Sequence, residues 1–127
     1  MTMWVAVLLG GAFGSVARHG VNIVTARVLG APSPWATAAV NMLGSVAIGV
    51  LAGALAGNRL SMSRLAQTFV FVGILGGFTT FSTFMLDTLA LMQIGGPQRA
   101  AVNLIGQLAA GLALTYAGYH IGLRLPT

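Results

Sequence analysis

Gly73-Ile74-Leu75-Gly76-Gly77-Phe78-Thr79-Thr80-Phe81-Ser82-Thr83-Phe84 is the stretch whose reading decides the fold. It lies at the centre of a long apolar segment, where a membrane-spanning helix has its middle. Adjacent glycines weaken a helix by about 1 kcal/mol each relative to alanine, and the β-branched Thr79-Thr80 pair adds little support. The run also carries the hydroxyls of Thr79, Thr80, Ser82 and Thr83. A helix broken here frees backbone carbonyls at bilayer depth, where irregular backbone persists only if buried in protein or lining water or an ion. Carbonyl oxygens without carboxylates suit a weakly charged hard cation such as Na⁺. Phe81 and Phe84 share one face if the helix resumes. A phenyl edge carries positive quadrupole charge, so it can face an anion without trapping it as a formal charge would.

Working outward, the chain of 127 residues is 57% hydrophobic and only 6% charged, with six arginines, no lysine and a single acid, Asp87. A soluble domain carries about 25% charged residues, so an ordinary soluble enzyme and a disordered chain are both excluded. Four apolar stretches follow one another, at roughly 4–29, 35–56, 65–94 and 98–123. Each is long enough for a membrane helix of about 20 residues. They predict one all-α integral membrane domain over 1–127, with four transmembrane helices and the third broken at its centre. Gly30-Ala31-Pro32-Ser33-Pro34 separates the first two spans, a polar loop from Gly57 to Arg64 separates the next two, and Gly95-Gly96-Pro97 closes the third. Ser63 is placed to cap the helix that follows it. The N-terminus lacks the positive region of a signal peptide and runs straight into more apolar sequence. There is no cysteine, which excludes disulfides and thiolate metal sites. The pI near 11.7 comes from arginines scattered singly, with no basic stripe for nucleic acid and no phosphate-binding loop for a nucleotide.

Arginine placement sets orientation. With the N-terminus inside, Arg59, Arg64 and Arg124 fall inside and Arg27 and Arg99 outside. So even a split leaves open two readings: insertion both ways up, with inverted copies pairing, or a small bias that still selects one orientation. Glycines four apart, Gly10/Gly14, Gly49/Gly53/Gly57 and Gly118/Gly122, read as helix-packing faces. Arg18 lies well inside the first span, where a charge is costly. It either draws an anion into an aqueous vestibule or snorkels and pairs with helix-end carbonyls. Asn41, in the second span, offers two N–H donors and an acceptor; by itself it reads equally as a functional donor or as interhelical glue.

The run from Gly76 to Phe84, together with the early glycines and Arg18, the Asn41–Ser45 segment and the acid three residues beyond Phe84, resembles the signature of the fluoride-specific ion channels of the Fluc/CrcB family. The resemblance spans nearly the whole chain. It implies an antiparallel, dual-topology homodimer in a bacterial inner membrane, passing fluoride passively out of the cell and conferring fluoride resistance. By resemblance, the Gly76 and Thr79 carbonyls of both subunits hold a structural Na⁺ at the dimer interface. Phe81 and Phe84 line two pores, Asn41 donates to the permeating ion, Ser82 and Thr80 supply hydroxyl contacts, and Arg18 serves the vestibule. Asp87 stands where the family commonly has Glu, and Val46 replaces an aromatic. On the fourth span, where the family often has a hydroxyl track, this chain offers Asn103, Gln107 and Thr115, none assigned a role.

Fluoride holds its water tightly, so a pore must replace many donors without binding the ion too strongly to release it. A bound cation would add positive potential midway. The main alternative is a small dual-topology, proton-coupled exporter of cationic drugs. That chemistry needs a membrane-embedded acid early in the chain, and here the first span has none and carries Arg18. A scaffold subunit, the third class, leaves the Gly-Gly and Thr/Phe cluster unexplained.

Overall fold

The computed structural model describes residues 2–30 and 34–126, and all regular structure among them is helical. Residues 31–33 of the first breaker segment lie outside the described residues. Helix α1, Met3–Leu29, starts at Thr2, whose hydroxyl accepts the Val5 N–H, and ends at Gly30 with φ 78°. A left-handed glycine of this kind closes helices because it has no Cβ to clash. Helix α2, Pro34–Ala56, begins on a proline, which fits a first helical position because its missing N–H would have no intrahelical partner there. Ser63 caps the next helix as its sequence position suggested, accepting the Ala66 N–H at 3.2 Å.

Three helical stretches are long and apolar enough to cross a membrane: Met3–Leu29, Pro34–Ala56 and Arg64–Leu123. The last has 60 residues. Straight, at 1.5 Å per residue, it would run roughly 90 Å, about three times the hydrocarbon thickness of a bilayer. It is not straight. The helix α3 (64–78) stops at Thr79 (φ −77°, ψ 159°) and Thr80 (φ −150°, ψ 116°), both extended. The helical stretch Phe81–Leu123 is divided again at Gly96, with φ 77° and ψ 176°, into α4 (81–95) and α5 (97–123). Only glycine takes that backbone without strain. Asn103 on α5 donates to the Thr88 hydroxyl on α4 at 2.8 Å, so the two arms fold back on each other.

Within α3, Thr68–Leu75 forms π turns, a widening that sequence periodicity does not reveal and that ends beside the break. The glycines of the central run do not themselves form the interruption. Gly76 keeps helical angles (φ −64°, ψ −36°), and the chain opens only at the two threonines. The glycines serve close approach instead. A Cβ on Gly77 would lie 2.7 Å from the Gly11 carbonyl oxygen, and one on Gly73 would lie 2.8 Å from the Gly10 Cα.

Packing is organised in two glycine-lined pairs. Helix α1 lies on α3, where Cβ atoms on Gly10 and Gly14 would collide with the Phe69 and Ile74 carbonyls. Helix α2 lies on α5, where Gly49, Gly53 and Gly122 meet the Thr115, Tyr119 and Val50 carbonyls in the same way. Without side chains between them the backbones approach closely, and dispersion replaces the hydrophobic drive that lipid does not supply. Little is buried within one chain: among the described residues Val40 is the only large side chain fully enclosed, while Leu8, Phe13, Val16, Ile105 and Leu112 face outward. Trp4 and Trp35 are exposed near helix ends, where amphipathic rings sit at the headgroup level.

Candidate functional site

The interruption at Thr79-Thr80 exposes backbone groups that no helical turn can satisfy, and side chains from two other helices take them up. Asn41 on α2 binds Thr80 twice: its Oδ1 accepts the Thr80 N–H at 3.0 Å, and its Nδ2 donates to the Thr80 carbonyl at 3.1 Å. One amide thus does what a neighbouring strand would do. Each such bond contributes about 1 kcal/mol net, but a buried group left unpaired costs about 1–3 kcal/mol. Losing Asn41 therefore matters more than the bond strengths suggest. Thr79 turns its hydroxyl back to the Leu75 carbonyl at 2.9 Å, an oxygen that already accepts the Thr79 N–H. The Thr80 hydroxyl caps α4, accepting the Thr83 N–H at 3.3 Å and donating to the Thr83 hydroxyl at 2.9 Å.

Arg18 comes to the same place from α1. Its guanidinium lies 3.4 Å from the Thr79 carbonyl, at the C-terminal end of α3 where the helix dipole is negative. The Thr80 N–H that would close the next turn onto the Gly76 carbonyl goes to Asn41 instead. The Gly76 carbonyl is thereby released from the helix ladder. The Thr79 carbonyl, whose ladder partner, the Thr83 N–H, goes to the Thr80 hydroxyl, accepts from Arg18 instead. Among the described residues no three His, Cys, Asp or Glu side chains stand together as a metal site.

A groove of about 510 Å³ opens on this break, lined by Asn41, Ser45, Gly76, Thr79, Thr80, Phe81, Phe84 and Gln107 among others. Of the residues singled out from sequence, Asn41, Gly76, Thr79, Thr80, Phe81 and Phe84 line it together; Ser82 and Arg18 do not. Phe84 is buried and Phe81 is 69% exposed. Their rings meet edge to face, 6.1 Å apart at 72°. Ser82 is exposed, one residue past Phe81.

A second cavity, about 500 Å³, lies between the C-terminal part of α1, the start of α2 and α4. Asn22, Thr37, Thr83, Asp87 and Arg99 line it. Thr80 lines the first cavity and Thr83 the second, so their hydroxyl pair stands between the two. Asp87 accepts a hydrogen bond of 2.5 Å from Thr37, a residue only 5% exposed. Sequence reasoning missed Thr37. The available signal was its spacing of four from Asn41, which puts both on one face of α2.

The last polar elements are amides. Asn41 donates to Gln107 at 3.5 Å, Gln107 to Asn103 at 2.9 Å, and Asn103 to Thr88 at 2.8 Å, whose hydroxyl donates to the Phe84 carbonyl at 2.8 Å. The chain of bonds joins the break to the backbone of Phe84, whose ring is buried. Thr115 lies outside it and outside the groove.

Apolar helices long enough to cross lipid, packed glycine on glycine beside a polar and aromatic groove at mid-span, define a multi-pass membrane protein. The chain belongs to the family described as CrcB-like protein, Camphor Resistance (CrcB), whose model matches residues 5–119. It is 43% identical over 127 residues to a fluoride-specific ion channel FluC of Thermus thermophilus, covering 96% of both chains. It is 44% identical over 120 residues to the protein of that name in Nitrobacter winogradskyi, and 40% identical over 119 residues to that of Agrobacterium fabrum, each covering 94% of both chains. These relatives are channels by name, not enzymes.

Proposed function

We propose that the chain is a fluoride-selective anion channel of a bacterial inner membrane, passing fluoride passively down its electrochemical gradient and so protecting the cell from it. The observation that carries the reading is the groove at the broken span, where Asn41, the threonine hydroxyls and two phenyl rings converge in a chain similar at 43% identity to a fluoride-specific channel. In this reading the chain crosses the membrane four times: α1, α2, the α3–α4 pair and α5.

The physical case rests on the type of donor. A small, strongly hydrated anion gives up its water only to many replacements, and it leaves again only if none of them is a buried fixed cation. Phe81 and Phe84 supply ring edges in the groove. Thr80 supplies a hydroxyl once its bond to Thr83 opens, and Asn41 an amide N–H once its bond to Gln107 opens. Ser82, outside the groove of a single chain, is the remaining hydroxyl candidate. Arg18, held on the Thr79 carbonyl, adds positive potential beside the pathway without standing in it. The ring of Phe81 lies largely open in a single chain. A second copy, inverted relative to the first, would enclose it and complete two pores. The near-even arginine distribution supports that pairing.

The carbonyls of Gly76 and Thr79 suit a structural Na⁺ shared between two such copies, since Asn41 takes the N–H that would otherwise occupy Gly76. The donor set is neutral oxygen, matched to a hard monovalent cation. When bound, the ion supplies fixed positive charge at the centre of the dimer.

The test is fluoride efflux from proteoliposomes, followed with a fluoride electrode and with chloride as the control ion. Fluoride efflux without chloride efflux is the expected result, and flux of neither ion would overturn the reading. Phe81→Ile and Phe84→Ile each remove a ring edge and are expected to lower efflux at least about tenfold, a loss worth roughly 1.4 kcal/mol, while the protein still purifies as a folded dimer. Efflux at the parent rate in both variants would remove the rings from the pathway.

A further inference from the structure

We infer that Gln107 governs whether Asn41 has an N–H to offer an anion, and is therefore a positioning residue of the pathway proposed above, on which this inference rests. Asn41 has one acceptor and two donor positions. The acceptor takes the Thr80 N–H, one donor goes to the Thr80 carbonyl, and the second goes to Gln107 Oε1. With all three in use, Asn41 holds the break together and has nothing left for a passing ion.

The direction of the last bond is set from both ends. At one end, the Thr80 N–H must be accepted, so Asn41 presents Oδ1 to the backbone and Nδ2 beside it. At the other, the Thr88 hydroxyl donates its proton to the Phe84 carbonyl and can only accept from Asn103. Asn103 therefore turns Oδ1 to Gln107, Gln107 donates through Nε2, and its own carbonyl oxygen faces Asn41. An anion arriving in the groove meets that oxygen, a competing acceptor, where it needs a donor.

The chain of bonds has one slack link. The bonds from Gln107 to Phe84 are 2.8–2.9 Å, whereas Asn41 to Gln107 is 3.5 Å. Amide bonds weaken well before that distance, so this is where the network parts first. Gly111, one turn beyond Gln107, also lines the groove, with Ser45 and Met42 facing it. When the link opens, Gln107 stays tethered through Nε2 to Asn103, Asn41 stays clamped to Thr80, and one Asn41 N–H becomes free to face the groove. Gln107 thus sets how strongly an anion must compete for that donor.

The test uses the full-length protein in liposomes and, ¹⁵N-labelled, in detergent micelles. Gln107→Met keeps the length of the side chain and removes the competing oxygen. It is expected to lower the half-saturating fluoride concentration about threefold to tenfold, the effect of one neutral hydrogen bond. It should also shift one proton of the Asn41 side-chain NH₂ signal, identified by its loss in Asn41→Ser. Gln107→Glu, with a charged acceptor in the same place, is expected to raise the half-saturating concentration. A role confined to folding would change the active fraction and leave the half-saturating concentration unmoved. Gln107→Asn, too short to bridge Asn103 and Asn41, should act in the same direction as Gln107→Met and substitutes for it if that variant does not fold. Parent-like fluoride dependence in the folded Met or Asn variant overturns the inference. If the parent protein carries no fluoride, the channel reading fails on that result alone. The Asn41 NH₂ signal then decides this inference: a larger response to added sodium fluoride in Gln107→Met than in the parent upholds it, and equal responses overturn it.

Discussion

At the residue scale the structure gives polar side chains two kinds of work, holding open backbone and facing the groove, and Asn41 stands at the junction of the two. Replacing it with Asp removes the Nδ2 that donates to Thr80 and Gln107 and sets a carboxylate against two carbonyl oxygens. Asn41→Asp is expected to abolish fluoride efflux and to cost about 1–3 kcal/mol of stability, the penalty for buried groups left unpaired. Efflux and thermal denaturation in detergent measure the two effects. Asp87 raises a related case, because it accepts from the Thr37 hydroxyl. Thr37→Val keeps the shape and removes that donor, and is expected to destabilise by about 1–3 kcal/mol, with Thr37→Ser near the parent. Equal stability of the Val and Ser variants would show that the bond contributes nothing.

At the scale of elements, the glycines separate cleanly into those that touch and those that do not, although they look alike in sequence. Gly14 and Gly11 are three apart on α1, yet a Cβ on Gly14 would strike the Ile74 carbonyl and one on Gly11 would meet nothing within 4 Å. Gly14→Ala is expected to pry α1 from α3 and cost about 1–3 kcal/mol, in the manner of overpacking. Gly11→Ala serves as the matched control, with little effect. Gly96 is demanding for a different reason: nothing crowds its Cβ position, but φ is 77°. Gly96→Ala is expected to cost about 1–3 kcal/mol through backbone strain alone, while Gly106→Ala, helical and uncrowded, should not destabilise. Thermal denaturation of the four variants in detergent distinguishes contact from conformation.

At the scale of the whole molecule, the single chain leaves its groove and much of its apolar surface uncovered. Two α-on-α pairs cover each other's glycine faces, but most apolar side chains point outward and the groove at the break is open along one side. Lipid satisfies the apolar surface; it cannot satisfy a groove lined by amides and hydroxyls. An inverted second copy is the proposed cover, and the absence of cysteine makes orientation directly measurable. With Ser61→Cys in the exposed loop between α2 and α3, a membrane-impermeant thiol reagent should label about half of the protein from outside sealed cells and the rest only after lysis. Labelling from a single side would exclude dual topology.

Much of this was legible in the chain because the bilayer imposes a severe rule: apolar length, glycine spacing and the few charges leave little choice beyond packed spanning helices. The interruption was legible too, since Gly-Gly-Phe-Thr-Thr is a poor helix at a depth where poor helices need a reason. What one-dimensional reading did not reach is who satisfies whom. That the break opens at the threonines rather than the glycines, that the helix-end carbonyl open to Arg18 is that of Thr79, and that Thr37 holds Asp87 all depend on where the chain places groups far apart in sequence. Composition and periodicity determined that this protein lives in a membrane as helices with a polar weak point in mid-span. Only the tertiary structure decided which donors are already spent there, because hydrogen-bond capacity is consumed by neighbours in space, and sequence order does not name them.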